Sequence, residues 1–352
     1  MRMNPFEQYS GFWLNGQYYT KQEILSEKPS FANENAALAL EFAGELFNSN
    51  VSILVKTSGS TGNPKSMSFS KAAVIISAKA TNSFFSLDEK SVAVLPLPMQ
   101  YIAGKMMVAR AIVGGYNLII PELSANPDLN DIRADFMPVS PLQMINLIEN
   151  QPKNLSGIGT YLIGGGAPST ELISKVNQAE ISAYSSFGMT ETLSHFALAE
   201  LKNAAQSPIY RPVSGATIRV NEAGKMEVNW PGITDGWLNT NDLAILVPEG
   251  FQWQGRSDNL INSGGVKVIP ERVEQILDPY ISSPYFVSGI PHRTLGQEIV
   301  LFSEKEISLD LNSIKWDFNY QQPKRIVVIQ PFLRTVSGKI RRSATVATWK
   351  NS

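Results

Sequence analysis

Between residues 91 and 185 the chain repeats one pattern, and that pattern limits the folds open to it. Apolar runs of four to seven residues at 91–95, 117–120, 135–139, 157–163 and 181–185 are interleaved with helix-length stretches at 105–112, 141–149 and 169–178. Short apolar runs without polar alternation are buried on both faces, and helices between them are the crossovers that parallel strands need. An α/β sheet with parallel pairs is therefore expected. Upstream, apolar spacing near 3.6 predicts a helix over 33–48, and Ser70 is placed to cap a second helix running to residue 85. Beyond Thr192 the pattern changes to short alternating strands at 217–220, 226–230 and 244–247, punctuated by Gly and Pro, which reads as a β-rich subregion.

A chain of 352 residues exceeds one ordinary core and calls for two or more domains. Lys and Arg total 30 against 31 Asp and Glu, so neither a nucleic-acid partner nor an anionic membrane surface is expected. The absence of cysteine removes disulfides, thiolate catalysis and thiolate metal sites together. The first twenty residues lack a basic segment followed by an apolar block, and no apolar run approaches the ~18 residues of a membrane helix. A cytoplasmic location without membrane insertion is expected. With only His195 and His292 available, a His-rich zinc site is excluded, and neither histidine lies near a Gly-x-Ser-x-Gly elbow.

The chemistry begins at Thr57-Ser58-Gly59-Ser60-Thr61-Gly62-Asn63-Pro64-Lys65, just after the apolar run 51–55. Glycines let successive N–H groups converge, hydroxyls add donors and Lys65 adds a charge, which together make a polyphosphate cradle. The Walker A alternative needs Gly-Lys-Ser/Thr and an immediate helix; here Pro64 precedes the lysine and a strand-like alternation follows, so it fails. Alone, the stretch reads equally as a Gly/Ser surface turn.

Further along, Ser186-Phe187-Gly188-Met189-Thr190-Glu191 follows a strand, where open α/β sheets bind ligands. There Thr190 is suited to a phosphate and Glu191 to Mg²⁺, although a helix cap explains both equally well. Gly164, Gly165 and Gly166 expose backbone to a flat ligand, or simply connect strand to helix. Asp242 in Thr240-Asn241-Asp242 suits ribose hydroxyls, or an Asx turn. Gly255-Arg256-Ser257-Asp258 leads to a Ser263-Gly264-Gly265 turn, a short strand and a Pro-initiated helix. Ser337-Gly338-Lys339 closes the series; alone it reads as part of a basic tail.

In this order and spacing, residues 51–342 resemble the acyl-adenylate-forming family of acyl-CoA synthetases, adenylation domains and firefly luciferase. Residues 57–65 are similar to its phosphate loop, 187–191 to its aromatic-Gly-x-Thr-Glu motif, 240–242 to its Thr-Gly-Asp, 255–258 to its hinge and 337–339 to its C-terminal Ser-Gly-Lys. The resemblance implies a large N-terminal domain of mixed α/β sheets (residues 1–257) and a small mobile α+β lid (258–352) that turns about Asp258. It implies ATP, Mg²⁺ and coenzyme A as small-molecule partners. Ser58, Ser60, Thr61, Gly62 and Lys65 would hold the β- and γ-phosphates, Thr190 the α-phosphate, Glu191 the metal and Phe187 the adenine. Asp242 and Arg256 would hold the ribose, Lys339 would bridge acyl carboxylate and ribose-phosphate oxygens, and the strand at Ser263, Gly264 and Gly265 would face the thiol.

The departures from the family pattern also carry information. Asn241 replaces a glycine, Phe187 replaces a tyrosine, and the usual Pro-Leu-Phe-His reads Pro96-Leu97-Pro98-Met99-Gln100-Tyr101, which leaves open whether Gln100 or Tyr101 lines an acyl pocket. Compactness, together with residues 95–104, 164–168 and 185–194, is similar to the o-succinylbenzoate–CoA ligases of menaquinone synthesis. That acid carries a second carboxylate and an aryl ketone, so Gln100, Tyr101, Gly164, Gly165, Gly166, Ser186 and His195 are the expected acyl-binding candidates. Two rivals stand beside this reading: loading of a carrier-protein phosphopantetheine, and a non-catalytic sensor of acyl groups or nucleotides.

Overall fold

The computed structural model describes residues 4–26, 31–56, 66–204, 207–335 and 339–350. The chain opens with β1 (Gly11–Leu14), β2 (Gln17–Thr20), α1 (Lys21–Ser26) and α2 (Glu34–Phe47). Next come β3 (Ser52–Lys56), β4 (Ser66–Ser70), α3 (Lys71–Phe85), β5 (Val92–Val94), α4 (Ile102–Gly114) and β6 (Asn117–Ile119). The alternation continues through β7 (Ala134–Val139), α5 (Pro141–Asn150), β8 (Ile158–Ile163), α6 (Thr170–Gln178) and β9 (Ala183–Gly188). Six strands follow: β10 (His195–Glu200), β11 (Ile209–Pro212), β12 (Thr217–Val220), β13 (Lys225–Asn229), β14 (Leu238–Val247) and β15 (Gly250–Arg256). The remainder is β16 (Ile261–Ser263), β17 (Val266–Val268), α7 (Pro270–Leu277), β18 (Tyr285–His292), β19 (Gly296–Ser303), β20 (Arg325–Val328) and α8 (Arg342–Lys350).

Among the described residues, thirteen strands form one continuous sheet, ordered β12-β13-β14-β15-β11-β10-β9-β8-β7-β5-β6-β1-β2. The pairs β1–β6, β6–β5, β5–β7, β7–β8 and β8–β9 are parallel, as the strand–helix alternation predicts. From β9 to β10 onward the pairing is antiparallel, so the β-rich subregion hydrogen-bonds directly onto the parallel part. Alternate residues of the same strands enter opposite cores, as strand geometry requires. Ala93, Leu95, Phe136 and Leu162 pack with α2, α3 and α4, while Val94, Met137, Val139 and Ile163 pack with α5 and α6.

Three features depart from the sequence reading. The N-terminal β1–β2 hairpin was not anticipated, although its turn residues Asn15 and Gly16 (φ +50° and +80°) are the Asn-Gly pair that such turns favour. Strand β9 runs on through Phe187 and Gly188, and β14 starts at Leu238, so Asp242 lies inside a strand rather than ahead of one. In both places antiparallel neighbours supply backbone partners to polar residues, which apolar periodicity cannot register.

The second sheet, β17-β16-β19-β18 with β20 pairing β19, follows residues 255–258. Val273 and Leu277 of α7 and Val346 of α8 pack into its cores. Helix α7 also touches β15 of the large sheet through Arg272, whose guanidinium donates to Gln254 Oε1 at 2.6 Å.

The loop 96–101 is held by two buried amides. Asn35 Nδ2 donates to the Leu97 carbonyl at 3.0 Å, and Asn35 Oδ1 accepts from Met99 N at 2.8 Å. Gln143 completes a capping box with Ser140 and donates to the carbonyls of Pro96 and Ser124 at 3.0 and 2.9 Å. Gly104 permits the return of the chain, because a Cβ there would meet Pro98 O at 2.5 Å. Gln143→Ala removes the box and leaves two carbonyls without donors. We expect a loss of about 2–3 kcal/mol, read as a lower denaturation midpoint with an unchanged m-value.

Candidate functional site

The phosphate-loop candidates Thr57, Ser58, Gly59, Ser60, Thr61, Gly62 and Lys65 lie outside the described residues. Their frame is described: the flanking strands β3 and β4 pair antiparallel, with Lys56 opposite Ser66. A strand, not a helix, follows Lys65, in keeping with the rejection of a Walker loop. The far end of the strand pair is fixed by Lys71, whose N donates to Val51 O at 2.9 Å while its Nζ donates to Asn48 O and Oδ1 at 2.8 and 3.0 Å. This lysine is fully buried, and burial brings its pKa down to about 8.

The end of β9 gathers several candidates. Gly188 faces His195 across the strand pair, and a Cβ there would meet Ser194 O at 2.1 Å, so only glycine allows this approach. The chain then tightens into a 3-10 turn, Thr190–Thr192, in which Thr192 Oγ1 accepts from Met189 N at 3.1 Å. Thr192, and not Thr190 or Glu191, serves the local backbone. Thr190 and Glu191 are half-buried, and Glu191 makes no hydrogen bond or ion pair with the described residues. Phe187 is also half-buried, with its ring edge-packed among Phe196, Tyr210 and Phe251 at 5.2–5.6 Å. Ser186 Oγ donates to Ile163 O at 3.1 Å, and a Cβ on Gly164 would come within 2.9 Å of it, so these two candidates adjoin. Gly165 adopts φ +103°, and both Gly165 and Gly166 are exposed. Gln100 is exposed and Tyr101 half-buried, and neither side chain forms a hydrogen bond with a described residue.

Under this turn lies a feature the sequence reading missed. Arg110 of α4 is 2% exposed and pairs with no carboxylate among the described residues. Its NH2 donates to Ser194 Oγ at 2.7 Å, while Nε has no partner. Burial lowers its pKa to about 10. Next to it, His195 is 5% exposed, with Nε2 3.0 Å from Thr81 Oγ1. Burial first, and the Arg110 charge second, hold the imidazole well below its ordinary pKa and therefore neutral. The available signal was Arg110 as the lone charge in the apolar run 106–113.

A second group forms where β14 pairs with β15. Asp242 stands directly opposite Arg256, and its Oδ1 accepts from Trp253 Nε1 at 2.9 Å. Arg256 NH1 lies 3.7 Å from the same oxygen, and NH2 reaches Asp258 at 2.8 Å. Thr240, two residues back, also lies within reach of the carboxyl. Burial pushes the Asp242 carboxyl up, and Arg256 and Trp253 pull it back. Asn241 adopts φ +59°, which explains how it replaces a glycine: asparagine tolerates the left-handed region better than other side chains. Trp253 was also missed, since nothing in the sequence marks which strand neighbour an aspartate will face.

Lys339 lies in the Arg334–Ile340 bridge, its N donating to Thr335 Oγ1 at 3.1 Å. The residue is exposed, yet enough protein surrounds the ammonium to lower its pKa, with the Arg256 guanidinium adding to the effect. The lysine thus stands within electrostatic reach of the Asp242–Arg256 pair. Gly264 and Gly265 (φ +60° and +82°) form the two-residue turn of the β16–β17 hairpin at Ser263, away from these contacts. None of the helices among the described residues is long and apolar enough to cross a membrane.

A parallel sheet that ends in a hydroxyl and a carboxylate, continues into antiparallel strands and hands over to a small second sheet is the fold of the adenylate-forming enzymes. The chain belongs to the AMP-binding enzyme family, which it matches over residues 19–236. It is 31% identical to an acyl-CoA synthetase (AMP-forming)/AMP-acid ligase II-like protein of Dyadobacter fermentans, with a TM-score of 0.62 over 92% of this chain and 96% of that one. A 2-succinylbenzoate–CoA ligase of Listeria monocytogenes is 26% identical over 321 residues, 82% of this chain and 68% of that protein. The O-succinylbenzoate coenzyme A synthetase of Bacillus subtilis, solved with ATP and magnesium, shares the fold at a TM-score of 0.71 and 21% identity, over 83% of this chain and 69% of that one.

A histidine buried neutral must take up a proton when the chain unfolds in acid. Its folded pKa lies below its unfolded value of about 6.5, so its contribution is complete above that pH and lost below it, at up to about 1.4 kcal/mol per pH unit. His195→Gln should flatten the stability profile below pH ~6.5 relative to the native chain. Parallel profiles from chemical denaturation across that range would contradict the assignment.

Proposed function

We propose that this chain is an ATP-dependent acid–thiol ligase acting on 2-succinylbenzoate. In the first step the acid's carboxylate oxygen attacks the α-phosphorus of ATP and pyrophosphate leaves, giving an acyl-adenylate. In the second step the thiol of coenzyme A attacks the acyl carbon and AMP leaves, giving a thioester. A carboxylate is already ionised near neutral pH, so the first step needs no general base, which agrees with a neutral, buried His195. Rate then comes from orientation and from cations placed where charge gathers. The observation that supports the reading is the Arg256 guanidinium acting on the Lys339 ammonium while Asp242 stands opposite Arg256 in the strand pair.

In this reading Thr57 to Lys65 hold the leaving pyrophosphate, with Gly59 and Gly62 opening the backbone, while Thr190 and Lys339 attend the α-phosphate. Phe187 and Gly188 would border the adenine, and Asp242 with Arg256 would grip the ribose. Mg²⁺ would neutralise phosphate charge. Among the described residues no group of three or more acidic or histidine ligands gathers, so Glu191 would be its protein ligand beside phosphate oxygens, which is the ordinary manner of nucleotide-bound magnesium. We take residues 258–352 as the lid, turning at Asp258, with Ser263 to Gly265 meeting the thiol. A cytoplasmic setting in menaquinone synthesis goes with this assignment.

Arg110 supports a substrate with two carboxylates. A buried guanidinium without a counterion is costly, and a second carboxylate entering beside Ser194 and His195 would supply the missing charge.

Lys339→Ala should cut adenylation by roughly 10²–10³, measured as ATP–pyrophosphate exchange, while thioester formation from supplied acyl-adenylate stays near the native rate. Equal losses in both half-reactions would count against this role.

Arg110→Met should raise the thermal midpoint of the ligand-free protein, because it removes an uncompensated buried charge. The same change should lower kcat/KM for 2-succinylbenzoate on the order of 10²–10³-fold and spare benzoate. If the native protein forms AMP with benzoate or a fatty acid and coenzyme A but not with 2-succinylbenzoate, the substrate assignment fails and the ligase class stands.

A further inference from the structure

Arg342 is out of place by local rules. It is the first residue of α8, where the helix dipole disfavours a cation, and no acidic residue occupies that first turn. Its location is explained by two carboxylates from another helix. NH2 pairs with Glu274 Oε2 at 2.8 Å, NH1 lies 3.7 Å from Glu271 Oε1, and NH1 also donates to the Val287 carbonyl at 3.4 Å. Glu274 uses its other oxygen to accept from Val287 N at 2.7 Å. Burial pushes Glu274 up to about 7 against the pull of Arg342, so one guanidinium serves two crowded acids.

Glu271 carries this contact to the other sheet. It is 6% exposed, its Oε1 accepts from Asn259 at the hinge, and its Oε2 has no partner. That oxygen abuts β15 at Gly255, where a Cβ would stand 2.6 Å away. Three residues before Arg342 is Lys339. The other leg of its hairpin is fixed by Glu304, which takes Arg334 NH2 at 2.7 Å and Phe332 N at 2.8 Å. The backbone between is closed by Arg341 N to Leu333 O at 2.8 Å. Polar contacts therefore run from Asn259, just past β15, through Glu271 to Arg342, and Arg342 lies three residues along the backbone from Lys339.

We propose that Arg342 is a positioning residue for Lys339: by spanning Glu271 and Glu274 it fixes where α8 begins against α7, and so holds Lys339, three residues upstream, within electrostatic reach of Arg256. The inference rests on the adenylation role proposed for Lys339. Removing the guanidinium leaves two carboxylates facing each other without a cation and frees one leg of the hairpin. A displacement of about 1 Å at a reacting group is enough for a loss near 10²-fold. Lysine at 342 keeps the charge but cannot span both acids in the same fork.

The test compares the native chain with Arg342→Gln, Arg342→Lys and the neighbouring Arg341→Gln, which makes the same charge change on an exposed residue. Without any substrate, Lys339 is labelled with an amine-reactive reagent across a pH series and quantified by mass spectrometry. The expected result is a profile shifted toward that of an ordinary lysine in Arg342→Gln and not in Arg341→Gln. In the half-reactions, Arg342→Gln should lower kcat for ATP–pyrophosphate exchange about 10–100-fold, with KM for ATP and thioester formation from supplied acyl-adenylate within about twofold, and Arg342→Lys should recover part of the loss. Should Arg342→Gln not fold, Glu274→Gln keeps an acceptor for Val287, breaks the ion pair and should give the same pattern. An unchanged labelling profile in Arg342→Gln, or equal losses in Arg341→Gln, would overturn the proposal. Absence of adenylation by the native chain with every acid would instead overturn the ligase reading, and labelling would still decide the clamp.

Discussion

The pairing of β14 with β15 at Asp242 and Arg256 is the contact on which the candidate site depends. Opposed in register, the two side chains meet without either backbone leaving the ladder. Trp253 holds one carboxylate oxygen. The same strand then leads into Asp258 and the second sheet, so whatever fixes the Asp242–Arg256 pair also fixes where the C-terminal residues begin. Gly255 is necessary to this arrangement: with φ +144° and no side chain it lets Ile269 and Glu271 press against the strand.

Charge is distributed unevenly around that contact. Arg256 is shared between two aspartates, whereas Arg110 is buried with only a hydroxyl, a thioether and unpaired space around its Nε. The cost of such a group is tolerated at sites that bind a complementary ion, because the ligand completes what the fold leaves unmet. His195, kept neutral beside it, adds no second cation next to Arg110.

Much of the fold was legible in the order of apolar runs. Helices α2, α3, α5 and α6 and strands β6 to β8 stand within two residues of where periodicity puts them, and Ser70 caps α3 as its side chain predicts; the structure adds caps at Asn33, Ser140 and Ser169. The turn glycines Gly264 and Gly265 were also readable, because a two-residue hairpin needs positive φ at both positions. The polar ends of β9 and β14 were not legible. There, strand identity comes from a neighbour's backbone, distant in sequence, and leaves no periodic trace.

By itself the sequence determined the class of fold, the order of the motifs and the family they belong to, because each depends on local spacing or on residue types that only one chemistry requires. Tertiary structure alone decided which side chains meet. It set Asp242 against Arg256 and Trp253, buried Arg110 beside Ser194 and His195, and turned Arg342 from part of a basic tail into a bridge between Glu271 and Glu274. The physical reason is that such pairings are set by strand register and helix packing over separations of up to tens of residues, where loop geometry and burial, not neighbouring letters, determine the partner.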